Sequence, residues 1–163
     1  MIFVTIGSMF PFDRLIRAMD LWAAAQPQQV EILAQTGEGG YRPEHMRWTP
    51  SLERADYART VAGAELVVAH AGMGSVITAG EYGKPIVLLP RLGSRGEHTN
   101  DHQVDTARWL RGRPGLFVAD TEADLPAAIA AARAGGAQAS LGTTAPPEFL
   151  ARIRAFALGG KGS

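Results

Sequence analysis

Residues 65–91 read ELVVAHAGMGSVITAGEYGKPIVLLPR, and no other stretch restricts the possible folds as strongly. An apolar run, Leu66–Ala69, stops at His70, and Gly72 and Gly74 follow with one residue between them. A helix-like segment, Gly74–Tyr82, is stopped by Gly83-Lys84-Pro85, and Ile86–Leu89 is apolar again. Short runs without polar alternation suit strands buried on both faces. Two such strands joined through a helix form a right-handed crossover within a parallel sheet.

The flanking sequence repeats the pattern. Residues 2–6 (IFVTI) read as a strand ended by Gly7-Ser8. Phe12, Leu15, Ile16, Met19 and Trp22 then mark one face of a helix. Strands are expected at Val30–Gln35, His45–Trp48 and Leu116–Ala119, and helices at Glu53–Ala62 (capped by Gly63), His102–Leu110 and Leu125–Ala134. The expected fold is therefore α/β, a single Rossmann-like, doubly wound parallel sheet occupying residues 1–134. Residues 135–147 (GGAQASLGTTAPP) read as a small-residue linker. Phe149, Leu150, Ile153, Phe156 and Ala157 give residues 148–158 the apolar face of a last amphipathic helix, and residues 159–163 a disordered tail.

Composition narrows the function. The formal net charge of the 163 residues is zero, which provides no basic face for nucleic acid. With no cysteine, disulfides, thiolate metal sites and cysteine nucleophiles are excluded. No apolar run approaches the roughly 20 residues of a membrane-spanning helix, and MIFVTIG lacks the charged start of a signal peptide. The expectation is a cytoplasmic protein.

In an open α/β sheet, ligands sit beyond the carboxyl ends of the strands. The turns after Ile6, Ala69 and Leu89 open there, and they carry Gly7-Ser8, His70 to Ser75, and Pro90 to Arg95. Gly72 and Gly74 allow close backbone approach, the following helix directs free N–H groups to the same place, and Ser75 adds a hydroxyl. Phosphate or diphosphate suits such a turn, although the glycines could equally serve a tight turn and Ser75 a helix cap. The nicotinamide fingerprint fails because Ile77 stands at its third glycine, and neither a P-loop nor a nucleophile elbow exists. His70 ends a buried strand at the site. His98 and His102 have a spacing that could serve a metal, but no third ligand is evident and Asn100-Asp101 reads as a helix start, so no metal is expected.

HAGMGS, GKPIVLLPR and GEHTNDHQ, with the opening VTIGSMFPFDRLIRAMD and the segment ILAQTGEGGY, resemble the C-terminal, donor-binding half of glycosyltransferase family 28. The resemblance is to its stand-alone, PssE-like form, a subunit of a two-component enzyme. It implies one half of a GT-B fold with a UDP-sugar lying across the strand ends. Gly7, Ser8, His70, Gly72, Gly74 and Ser75 would hold the diphosphate. Asn100, His102 and Gln103 would approach the sugar or ribose, with Arg91, Arg95 and His98 over the phosphates and sugar. Thr78 stands where many relatives carry a ribose-binding glutamate. Glu81, three residues later on the same helix face, is its possible substitute.

The resemblance implies inverting transfer of a hexose in polysaccharide synthesis, without a metal cofactor. The acceptor would be a lipid-diphosphate-linked sugar. A membrane-anchored PssD-like subunit would supply the acceptor site and the general base, holding this chain peripherally at the inner membrane face. The 148–158 helix, and less so Phe10, Pro11 and Phe12, are candidate docking elements. Two other readings stay open: a non-catalytic nucleotide-binding module, and a homo-oligomeric enzyme that processes sugar nucleotides.

Overall fold

A computed structural model describes residues 1–135 of the chain. Apart from Gly135, the expected linker, final helix and tail lie outside the described residues. Six strands form one sheet: β1 (Ile2–Thr5), β2 (Ile32–Gln35), β3 (Arg47–Thr49), β4 (Leu66–His70), β5 (Ile86–Leu89) and β6 (Leu116–Val118). Their order is β3-β2-β1-β4-β5-β6, and every neighbouring pair is parallel. The helices are α1 (Asp13–Ala24), α2 (Arg54–Gly63), α3 (Met73–Glu81), α4 (His102–Leu110) and α5 (Leu125–Ala134).

Successive residues of a strand point to opposite faces, and here both faces are covered. Ile2 and Val4 of β1, with Leu66 and Val68 of β4, pack beneath Leu15, Ile16 and Met19 of α1 and Leu125 and Ile129 of α5. Phe3, Val67 and Ala69 face the other way, toward Val61 of α2, Val76 and Ala79 of α3, and Ala107 and Leu110 of α4. Each large side chain so buried contributes about 1.5–3 kcal/mol of hydrophobic stabilisation. This two-sided burial is why the strands carry no polar alternation.

Several boundaries differ from expectation by one or two residues, and two of these shifts are informative. The third strand runs over Arg47–Thr49 and not His45–Trp48, because the backbone N–H of His45 donates to Asp20 Oδ1 at 2.7 Å. Asp20 also accepts from the Glu44 N–H and the Tyr41 hydroxyl, so residues 41–45 are tied to α1 before the ladder begins. Gly63 is the last helical residue of α2, and Ala64 takes the cap position. The stop after α3 falls where expected. Gly83 adopts φ +61°, while the N–H groups of Gly83 and Lys84 donate to the carbonyls of Gly80 and Ala79, the pattern of a Schellman motif.

The chain leaves β1 toward β2 on one side and β4 toward β5 on the other. The loops after the neighbouring strands β1 and β4 therefore diverge. Such a switch point opens a crevice at the carboxyl edge of the sheet.

Candidate donor cleft at the switch point

That crevice is an open cleft of about 950 Å³. Its walls include Gly7 and Ser8 after β1, His70, Gly72, Gly74, Ser75 and Thr78 from β4 and α3, and Arg91, His98 and Gln103 after β5. Ten of the residues singled out from sequence are thus brought to one cavity.

The two glycines of the β4–α3 turn have different reasons to be there. A Cβ on Gly72 would lie 2.1 Å from Nε2 of His70, so this glycine makes room for the imidazole. Gly7, at φ +77°, does the same from the other side, since its Cβ would lie 2.7 Å from His70 Cε1. A Cβ on Gly74 would meet nothing within 4 Å. Glycine in a helix is about 1 kcal/mol less favourable than alanine, and at Gly74 no packing among the described residues requires it. The bare backbone at Gly74 leaves open space on the cleft side of α3.

No side chain caps α3, whose N-cap is Gly72. Its first N–H groups and positive dipole end meet the cleft, a suitable environment for anionic oxygens. Ser75 is not the cap; it is buried on the first turn and its Oγ accepts from the Tyr57 hydroxyl at 3.2 Å. Its own hydroxyl proton can be directed to a ligand. Tyr57 is fixed edge-on to Phe3, with ring centroids 5.5 Å apart. Such pairs add about 0.5–1.5 kcal/mol. Thr78 donates back to the Gly74 carbonyl at 2.9 Å, which leaves its oxygen to accept.

His70 is neutral over the physiological range. Burial, and then the charge of Arg91, push its pKa down to about 4. The rim of the ring reaches the cleft, but Nδ1 is shut in without a hydrogen bond. The Thr5 carbonyl favours the protonated ring without reaching hydrogen-bond geometry, and that influence is outweighed.

Other expectations are corrected. Arg91, expected over the phosphates and sugar, is 2% exposed. Its guanidinium donates to the carbonyls of Ile6, Phe10, Pro11 and Glu97, so four of its five donors are spent on the chain itself. Arg95 pairs with Glu122 and lies outside the cleft lining. Glu81 is the last residue of α3, about 10 Å along the axis from Gly74 by helical rise. It does not line the cleft, whereas Thr78 does. Asn100 and His102 are also outside the lining: Asn100 Oδ1 accepts from the His102 N–H at 3.2 Å and lies 3.1 Å from His98 Nδ1, a helix-start role. Gln103 remains, its Oε1 accepting from the Arg91 N–H at 3.1 Å. Phe12 is core, whereas Met9 and Phe10 are exposed.

Sequence reading missed Leu52, Arg54 and Tyr57, which also line the cleft. They follow β3, whose carboxyl end lies on the same sheet edge. Applying the strand-end rule to this fourth turn would have found them. Among the described residues, no group of three or more His, Cys, Asp or Glu could hold a metal ion, and no helix is long and apolar enough to cross a membrane.

Comparison with known proteins places this cleft in context. The family profile of the glycosyltransferase family 28 C-terminal domain matches residues 1–140. The UDP-N-acetylglucosamine transferase subunit ALG13 of Yarrowia lipolytica is 29% identical over 135 residues, 75% of this chain and 66% of that protein. The protein of the same name from Homo sapiens is 30% identical over 132 residues, 71% of this chain and 11% of its own. The chain thus spans just under two thirds of one relative and about a tenth of the other. Among solved structures, the glycotransferase of kitacinnamycin aligns with a TM-score of 0.63 at 18% identity, covering 99% of this chain but 40% of its own. The solution structure of ALG13 aligns at 0.59 and 16% identity, covering 95% and 93%. At these identities the likeness concerns the fold, which is one half of the GT-B arrangement.

Proposed function

The chain belongs to the glycosyltransferase family 28 C-terminal domain family, and from that premise we propose that it is the donor-binding subunit of an inverting UDP-sugar hexosyltransferase. The observation that carries this reading is Gly74, a helical glycine with open space over it, at the uncapped start of α3. A diphosphate seated there receives the first N–H groups of α3 and the Ser75 hydroxyl.

During transfer the acceptor hydroxyl attacks the anomeric carbon, the bond to the diphosphate oxygen breaks, and UDP leaves with the bonding electrons. Negative charge grows on the diphosphate as it departs. Donors already oriented toward that position lower the barrier most, because they need no reorganisation. The neutral His70 shapes the turn without adding a full charge that would trap UDP. The acceptor proton needs a general base, and the acceptor site is assigned to a membrane-anchored PssD-like partner that presents a lipid-diphosphate-linked sugar for polysaccharide synthesis. Support for a partner comes from the relatives. The two ALG13 relatives are themselves named as subunits.

Calorimetric titration of the chain with UDP, ADP, NAD and a panel of UDP-sugars tests the reading. UDP and one UDP-sugar should bind in preference to ADP and NAD. Preferential NAD binding rejects it.

A further inference from the structure

Arg91 follows directly on β5 and Pro90, and its backbone is tied to α4 through Gln103 Oε1. Its Nη2 donates to the carbonyls of Ile6 at 2.9 Å and Phe10 at 2.6 Å, and its Nη1 to those of Pro11 at 2.9 Å and Glu97 at 3.2 Å. Three of these four acceptors belong to the β1–α1 loop, which carries Gly7 and Ser8 in the cleft wall. The tip of that loop has no core of its own, since Met9 is 78% and Phe10 47% exposed. Beyond the tip the guanidinium lies 4.6 Å from the ring centroid of the buried Phe12.

We propose that Arg91 is a positioning residue of the cleft, its guanidinium holding the β1–α1 loop so that Gly7 and Ser8 face the turn of Gly72 and Gly74. The inference rests on the reading of the cleft as a nucleotide site. Among the described residues Arg91 makes no ion pair; the neighbouring Glu97 carboxylate is taken by Arg14, through Nε at 2.7 Å and Nη2 at 2.8 Å. A buried cation held by carbonyls alone is costly unless several acceptors are satisfied together. A planar fork with donors on both terminal nitrogens spans the two ends of the loop. Lysine, a point charge on a flexible stem, cannot do so. The residue therefore fixes the loop before a ligand arrives, which reduces the ordering cost of binding. Its charge reaches the site as well, since it helps to keep His70 neutral.

The test compares wild type, Arg91→Lys and Arg91→Met by amide hydrogen exchange and by UDP calorimetry. In Arg91→Lys, exchange across residues 6–12 should rise about tenfold while β4 and α3 keep their protection, and UDP should bind about tenfold more weakly. Arg91→Met should show the same pattern more strongly; if it fails to fold, Arg91→Lys decides alone. Unchanged exchange in the loop overturns the proposal, as does a rise spread evenly over the domain. A loosened loop with undiminished UDP affinity also overturns it. Wild-type protein that binds no UDP rejects the nucleotide reading instead, and the exchange comparison still decides whether Arg91 sets the loop.

Discussion

Gly72 leaves out the one atom that His70 could not tolerate: a Cβ there would stand 2.1 Å from Nε2 of the imidazole. With Gly7 yielding on the opposite side, the ring of His70 fills a gap between the two loops of the switch point. This assigns Gly72 to the fold, whereas a Cβ on Gly74 would meet none of the described residues within 4 Å.

Gly72→Ala should cost about 1–3 kcal/mol through overpacking against His70. Combining it with His70→Ala should recover part of that loss, because the clash disappears with the ring. A double-mutant cycle by urea unfolding measures the coupling. Strictly additive losses would show that the ring and the glycine do not share this space.

Gly74→Ala should behave in the opposite way. It should raise stability by up to about 1 kcal/mol from helix propensity, and weaken UDP binding about tenfold by placing a methyl where the backbone meets the diphosphate. Thermal melts and calorimetry on one preparation give both quantities. Undiminished UDP affinity in Gly74→Ala and Gly74→Val would remove Gly74 from the site.

The acid sensitivity of the fold should depend on His70. Its pKa is about 4 in the folded protein against an ordinary value of 6.5. Between those values the unfolded chain takes up a proton that the folded chain refuses. Stability is therefore full above the window and falls as pH drops through it. Wild type should lose up to about 3 kcal/mol more than His70→Gln across this range. Parallel pH profiles from urea unfolding would show that His70 does not carry the effect.

Asp20 provides a second acid-sensitive element, far from the cleft. Burial by itself would raise its carboxyl, but the N–H groups of His45 and Glu44 and the Tyr41 hydroxyl outweigh this and hold it below the usual 3.8. A depressed carboxyl contributes stability above its unfolded value and loses it as pH falls through the folded one. Asp20→Asn, with one acceptor oxygen in place of two, should cost about 2 kcal/mol at neutral pH and flatten the stability loss below about pH 4. The midpoint of urea unfolding at neutral and acid pH checks both; an unchanged neutral midpoint would show that the 41–45 loop needs no such anchor.

Much of this protein is written locally. Apolar runs such as IFVT and LVVA require strands covered on both faces, and Gly83-Lys84-Pro85 stops α3 by a rule that reads only neighbouring residues. The alternation of strands and helices makes the sheet parallel, and its carboxyl edge places the turn at His70–Ser75 where ligands sit in such sheets. By itself, then, the sequence determined the fold class, the glycine turn and the sheet edge that bears the cleft. The roles of single side chains at that edge were decided by partners distant in the chain. Arg91 looked like a phosphate ligand until Ile6, 85 residues away, took one of its donors. Tyr57 was not singled out from sequence, and its hydroxyl meets Ser75. Glu81 has the right helical phase but the wrong height on α3. Periodicity and capping are properties of a short segment. Which donor finds which acceptor depends on how loops from separate strands pack at one edge, and only the tertiary structure decides that.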